Sequence, residues 1–73
     1  MNSLIIIDPK IRSGKPVIRG SRIMVKNILG MVAGGYAMDQ MLNAYPELTR
    51  EMVQAALEYA AAVIDEEQVI ARA

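Results

Sequence analysis

Cysteine, histidine, phenylalanine and tryptophan are all missing from this chain of 73 residues. Without cysteine there is no disulfide, no thiolate metal site and no thiol nucleophile, which suits a reducing compartment. Without histidine, the commonest general base and metal ligand near neutrality is gone too. The carboxylates that remain do not converge: Asp65, Glu66 and Glu67 are consecutive, so on a helix they splay around its axis. Lys15 follows Gly14, but the spacing of a phosphate-binding loop is absent. The chain is therefore expected to be no enzyme, with no catalytic residues, no metal and no cofactor. The three tyrosines (Tyr36, Tyr45 and Tyr59) are scattered, too little stacking surface for a single-stranded RNA platform.

Long apolar runs are lacking as well. Residues 4–7 are apolar but stopped by Asp8-Pro9, and residues 59–64 fall far short of the roughly 20 that span a bilayer. The N-terminus has neither the charged start nor the longer apolar stretch of a secretion signal. No membrane association and a cytoplasmic location are the expectation.

Net charge is formally zero, but the zero conceals a division. Residues 1–26 carry six cations, Lys10, Arg12, Lys15, Arg19, Arg22 and Lys26, against Asp8 alone. Residues 27–73 carry Arg50 and Arg72 against Asp39, Glu47, Glu51, Glu58, Asp65, Glu66 and Glu67. Such asymmetry suits a chain whose front part meets a polyanion. It suits equally two sets of solvated charges that pair with each other across the fold.

What is abundant is apolar: 53% of the residues. One domain over 1–73 is expected, with short strands and a hairpin in 1–24 and helices in 25–73. A domain this small buries only about 60% of the surface its unfolded chain exposes, so pairing into a homodimer is expected to supply stability. Leu4-Ile5-Ile6-Ile7 reads as a strand. Residues 10–13 read as a loop or short extended piece. Pro16-Val17-Ile18 and Arg22-Ile23-Met24 flank Arg19-Gly20-Ser21 as the arms of a hairpin. Residues 25–33 form a helix stopped by Gly34-Gly35. Met38, Met41, Leu42 and Tyr45 make the stripe of a second helix, which Pro46 ends. Thr49 caps a third helix over 50–64, extending to Ile70, with Leu48 and Val53 at staple spacing. The alanines of this helix (55, 56, 60–62) allow another helix to approach closely. Of the six methionines, Met31, Met38, Met41 and Met52 sit at core-facing spacings and fill the core.

Helix, glycine turn, helix, proline turn and longer helix is the layout of a trihelical helix-turn-helix. The fold class is thus α+β, mainly α, a short hairpin followed by a winged-helix-like unit. The six cations are the candidates for DNA phosphate contact. Arg19 and Arg22 flank Gly20 at the tip of the hairpin, where a wing can reach a groove and a guanidinium can read guanine. For Arg22, tying the turn to a carboxylate or to helix carbonyls weighs slightly more; for Arg19, slightly less. The third helix is a poor reading helix, because its polar side is acidic and only Thr49, Arg50 and Gln54 suit DNA. The segment Asp65-Glu66-Glu67-Gln68-Val69-Ile70 alternates acid and apolar groups, as a docking tail or an ordinary solvated helix end would.

The chain also resembles a known family through Asp8-Pro9-x-Ile11, Gly14-Lys15-Pro16-Val17-Ile18-x-Gly20-Ser21-Arg22-Ile23-x-Val25, Ile28-Leu29, Gly35-Tyr36, Tyr45-Pro46-x-Leu48-Thr49 and Ala55-Ala56-Leu57-x-Tyr59-Ala60. Together these closely resemble the small prokaryotic proteins of domain-of-unknown-function family 433. The resemblance implies a dimeric helix-turn-helix protein and a VapB-type antitoxin, which regulates its own transcription and neutralises a PIN-like ribonuclease toxin. Under it the DNA-binding residues are Lys10, Arg12, Lys15, Arg19, Arg22 and Lys26, and the toxin-binding residues Asp65, Glu66, Glu67, Val69 and Ile70. The alternative is a helical dimer that binds no DNA and acts only as a protein-interaction module. Three positions depart from the family's pattern: Ser21 for threonine, Met24 for proline, and Ala37 for a capping serine. The last implies a second helix that frays.

Overall fold

The computed structural model describes residues 3–67, with the backbone alone for Glu66 and Glu67. It holds a two-stranded antiparallel sheet followed by three helices, an α+β fold that is mainly helical. Strand β1 (Ile5–Ile6) pairs with β2 (Val17–Ile18), Ile5 opposite Ile18 and Ile6 opposite Val17. The Arg19 N–H donates to the Leu4 carbonyl at 2.7 Å and extends this ladder.

The expected hairpin forms, and β1 pairs with its first arm. Residues 18–21 do form a turn, closed by the Ser21 N–H on the Ile18 carbonyl at 3.1 Å, with Gly20 at a φ of 81°. Beyond it, the antiparallel bridge of Val17 with Met24 joins the second arm to β2. Within the turn the Ser21 Oγ donates to the Ile18 carbonyl and accepts the Ile23 N–H. The Ile18 N–H reaches the Ile23 carbonyl at 2.9 Å and the Val25 N–H the Pro16 carbonyl at 3.0 Å, the two bonds that flank the Val17–Met24 bridge and hold the second arm against β2. The end of the 10–13 stretch, expected as a loop or short extended piece, forms with Gly14 a tight turn with left-handed φ at Arg12 (52°), Ser13 (58°) and Gly14 (81°).

Helix α1 spans Val25–Ala33, α2 Met38–Ala44 and α3 Arg50–Glu67. The Thr49 Oγ1 accepts the Met52 N–H at 3.2 Å, the cap expected for α3. Ala37 offers no such oxygen. The Gln40 Oε1 instead accepts the Ala37 N–H at 2.7 Å, half of a capping box that holds the start of α2. Asn27 does the same for the Met24 N–H ahead of α1.

The core lies where the sheet meets the helices. Ile18, Ile23, Val25, Ile28, Met41, Leu48, Val53 and Ala56 are buried together, with Met31, Met38 and Met52 packed against them. Leu48 and Val53 both enter this cluster, as a staple across the α3 cap does. No charged or polar residue among the described ones is buried.

Candidate nucleic-acid interface

The two basic loops before α1 are held by short-range bonds that leave their cations in solvent. The first follows β1. Asp8, the one carboxylate of the front third, accepts the Lys10 N–H on Oδ1 at 2.9 Å, so it is engaged in shaping the turn. The Ile11 N–H donates to the Asp8 carbonyl at 2.8 Å and tightens the same bend. The second loop is the 18–21 turn with Arg19 and Arg22. The Arg12 Nη2 donates to the Arg22 carbonyl at 3.5 Å, which sets the two loops side by side.

Each of the six candidate cations is exposed, and among the described residues none makes an ion pair with a carboxylate. Arg19 uses its Nε on the Ser3 carbonyl at 2.8 Å, so part of its guanidinium serves to pin the chain ahead of β1. The side chain of Arg22 has no hydrogen bond or ion pair among the described residues. The order of roles expected for these two arginines is thus reversed: Arg19 is the anchored one. Lys15 and Lys26 stand on either side of a backbone bond, since each neighbours one member of the Pro16–Val25 pair. Lys26 also lies in the first turn of α1, which carries no acid; the positive end of the helix dipole adds to its charge.

One feature opposes an anion. Glu47 shares an open hollow with Arg22, Gly20 and Ser21, floored by Ile6, Val17 and Ile18. The start of α3, where a reading helix would meet bases, is locally occupied: Thr49 caps, Arg50 pairs with Asp39 at 3.6 Å, and Gln54 donates to Glu58 at 3.5 Å. Both partners of that ion pair are well exposed, so it contributes little to stability.

Of the residues expected to meet a toxin, Asp65 is exposed on the last turn of α3, and Glu66 and Glu67 continue that helix. Val69 and Ile70 lie outside the described residues. The sequence did not single out an apolar groove between α1 and the second half of α3, lined by Pro16, Leu29, Tyr59, Val63 and Ile64 with Lys26 at its rim. The run of small and apolar residues over 59–64 was the available signal. Among the described residues no group of three acidic side chains is placed to hold a metal, and no helix is long and apolar enough to cross a membrane.

Residues 5–60 match the family described as protein of unknown function (DUF433). The uncharacterized protein y4eO of Sinorhizobium fredii (strain NBRC 101917 / NGR234) is 37% identical over 59 residues, which are 81% of this chain and 27% of that protein. The chain therefore spans a minor part of that relative. A DUF433 member protein from Anabaena variabilis ATCC 29413, solved as a crystal structure, is similar in fold with a TM-score of 0.73 at 33% identity. That likeness covers 88% of this chain and 66% of the solved one, just under two thirds of its length. With the family pattern running from β1 into the middle of α3, the chain belongs to the DUF433 family.

Proposed function

We propose that this chain is a DNA-binding transcriptional regulator of the antitoxin kind, acting in the cytoplasm as a homodimer and without catalytic chemistry. The observation that carries the DNA reading is the state of its cations. Six exposed cations sit on two loops and the first turn of α1, and no carboxylate among the described residues neutralises them. Doubled in a dimer, such a surface matches the phosphate lattice of a duplex and releases its counterions. The loops, and not α3, are the contacting elements, since the polar groups that open α3 are engaged locally. The finer assignment, a VapB-type antitoxin against a PIN-like ribonuclease, draws its support from the motif resemblance and from the acids that close α3.

Mobility shifts on the DNA upstream of its own reading frame test the proposal. Retardation at low salt that falls steeply as salt rises supports it. No retardation at low salt by a folded, paired chain would leave the partner-only module. Glu47 beside Arg22 and the apolar groove are the observations that favour this second reading.

A further inference from the structure

Glu47 is a carboxylate that the fold carries to the basic loops. It stands in the turn between α2 and α3, and that turn is fixed: the Leu48 N–H donates to the Tyr45 carbonyl at 2.9 Å, and the Leu48 side chain is buried in the core. Glu47 thereby lines the hollow of Gly20, Ser21 and Arg22 at the hairpin turn, far from it in sequence. Other acids are engaged where they stand. Asp8 shapes its own turn, Asp39 pairs with Arg50, and Glu58 accepts from Gln54. Glu47 is exposed and its side chain makes no hydrogen bond or ion pair among the described residues, not even with Arg22. Two exposed charges that do not pair contribute little to a fold, so stability does not explain this placement.

We infer that Glu47 is a specificity-determining residue of the DNA surface, one that accepts the N4 amine of a cytosine in the major groove. This rests on the DNA reading above and names what that surface selects. The chemistry of a carboxylate narrows the choice. Near neutral pH it only accepts hydrogen bonds, as phosphate oxygens also do, so Glu47 repels the backbone that Arg22 attracts. A duplex seated on the hairpin leaves Glu47 desolvated and unsatisfied unless a base supplies a donor. A β-hairpin is of a size that the major groove admits, and the donors there are cytosine N4 and adenine N6. Adenine sets its N7 acceptor beside the amine, and a carboxylate has no proton to give it. Cytosine sets no acceptor there, so cytosine is the match. At any other base the carboxylate stays uncompensated. One residue thus weakens binding to sequence at large and favours a single base.

Selection of bound duplexes from a random-sequence library, with wild type and Glu47→Gln as full chains, tests this. The wild type is expected to enrich a cytosine at one fixed position. Glu47→Gln, whose amide both accepts and donates, is expected to exchange that cytosine for adenine, with roughly a tenfold change in preference. On mixed-sequence DNA the variant is expected to bind several-fold more tightly, because a carboxylate beside Arg22 is gone. Glu51→Gln and Glu58→Gln are expected to do neither, and thermal unfolding is expected to be the same for wild type and Glu47→Gln. The same base preference in wild type and Glu47→Gln overturns the inference, even where binding to mixed-sequence DNA tightens, since Glu47 then acts only as a diffuse charge. A Glu47→Gln chain that loses thermal stability together with its DNA binding overturns it too, by making Glu47 a support of its turn. The two readings fail separately. No retardation of any duplex by either protein refutes the regulator, and this inference with it; DNA binding whose base preference ignores Glu47 refutes this inference alone.

Discussion

Ser21 shows how much one hydroxyl does in a fold this small. Its Oγ donates to the Ile18 carbonyl at 3.0 Å and accepts the Ile23 N–H at 3.1 Å, so it closes the turn that carries Arg19 and presents Arg22. Replacing it by alanine leaves the Ile23 N–H without its partner, while the Ile18 carbonyl keeps the Ser21 N–H, at a cost of about 1–2 kcal/mol. Threonine keeps the hydroxyl, and Ser21→Thr is expected to be nearly neutral. Urea unfolding of the two variants separates these outcomes. An equal loss in both would mean that side-chain volume matters at this position and the two bonds do not. Gly20, next to it, holds a φ of 81° with open space where a Cβ would stand. Gly20→Ala therefore meets no clash but bears a left-handed backbone, at about 1 kcal/mol. The sequence already placed glycine at this turn. It could not say that the arginines on either side would divide their tasks, because the partner of Arg19, the Ser3 carbonyl, lies sixteen residues away.

At the scale of the elements, what was legible was what local chemistry decides. The bounds of α1 and the start of α3 follow from the glycine pair at 34–35 and from the Thr49 cap, both readable within a few residues. The pairing of β1 with β2 was not, because the two meet across a long loop, whereas the arms of the hairpin are neighbours and were legible. Nor was the left-handed turn at Arg12 and Ser13 legible, since neither residue favours that conformation. The groove escaped notice because the periodicity of residues 59–64 shows an apolar side but not how far α1 covers it. The caps make two predictions of opposite sign. Thr49→Ala removes the oxygen that receives the Met52 N–H and is expected to cost about 1 kcal/mol. Ala37→Ser adds the missing half of the capping box to the half that Gln40 already supplies, and is expected to add about 0.5–1 kcal/mol. Thermal unfolding monitored at the helical signal reads both. A gain on Ala37→Ser no larger than its error would indicate that Gln40 alone satisfies the start of α2.

For the molecule as a whole, the uneven charge is the property that makes a quantitative demand. The front loops hold cations without carboxylate partners among the described residues, while α3 carries acids along its length. If the loops neutralise phosphates, log affinity falls linearly with log salt, and each phosphate no longer neutralised lowers the slope by about 0.9. Lys15→Ala with Arg22→Ala removes two exposed cations, neither of which bonds to the fold through its side chain among the described residues. The pair is expected to weaken DNA binding at low salt and to flatten the slope by about 2, with thermal stability unchanged. Arg19→Ala is a different case, since its Nε also holds the Ser3 carbonyl, and it should lower stability as well as affinity. Glu51→Gln and Glu58→Gln lie on the acidic face of α3, and under the same geometry they leave the slope untouched. A slope that stays constant without Lys15 and Arg22 but shifts with the α3 acids would place the DNA against α3 and reverse the assignment of faces.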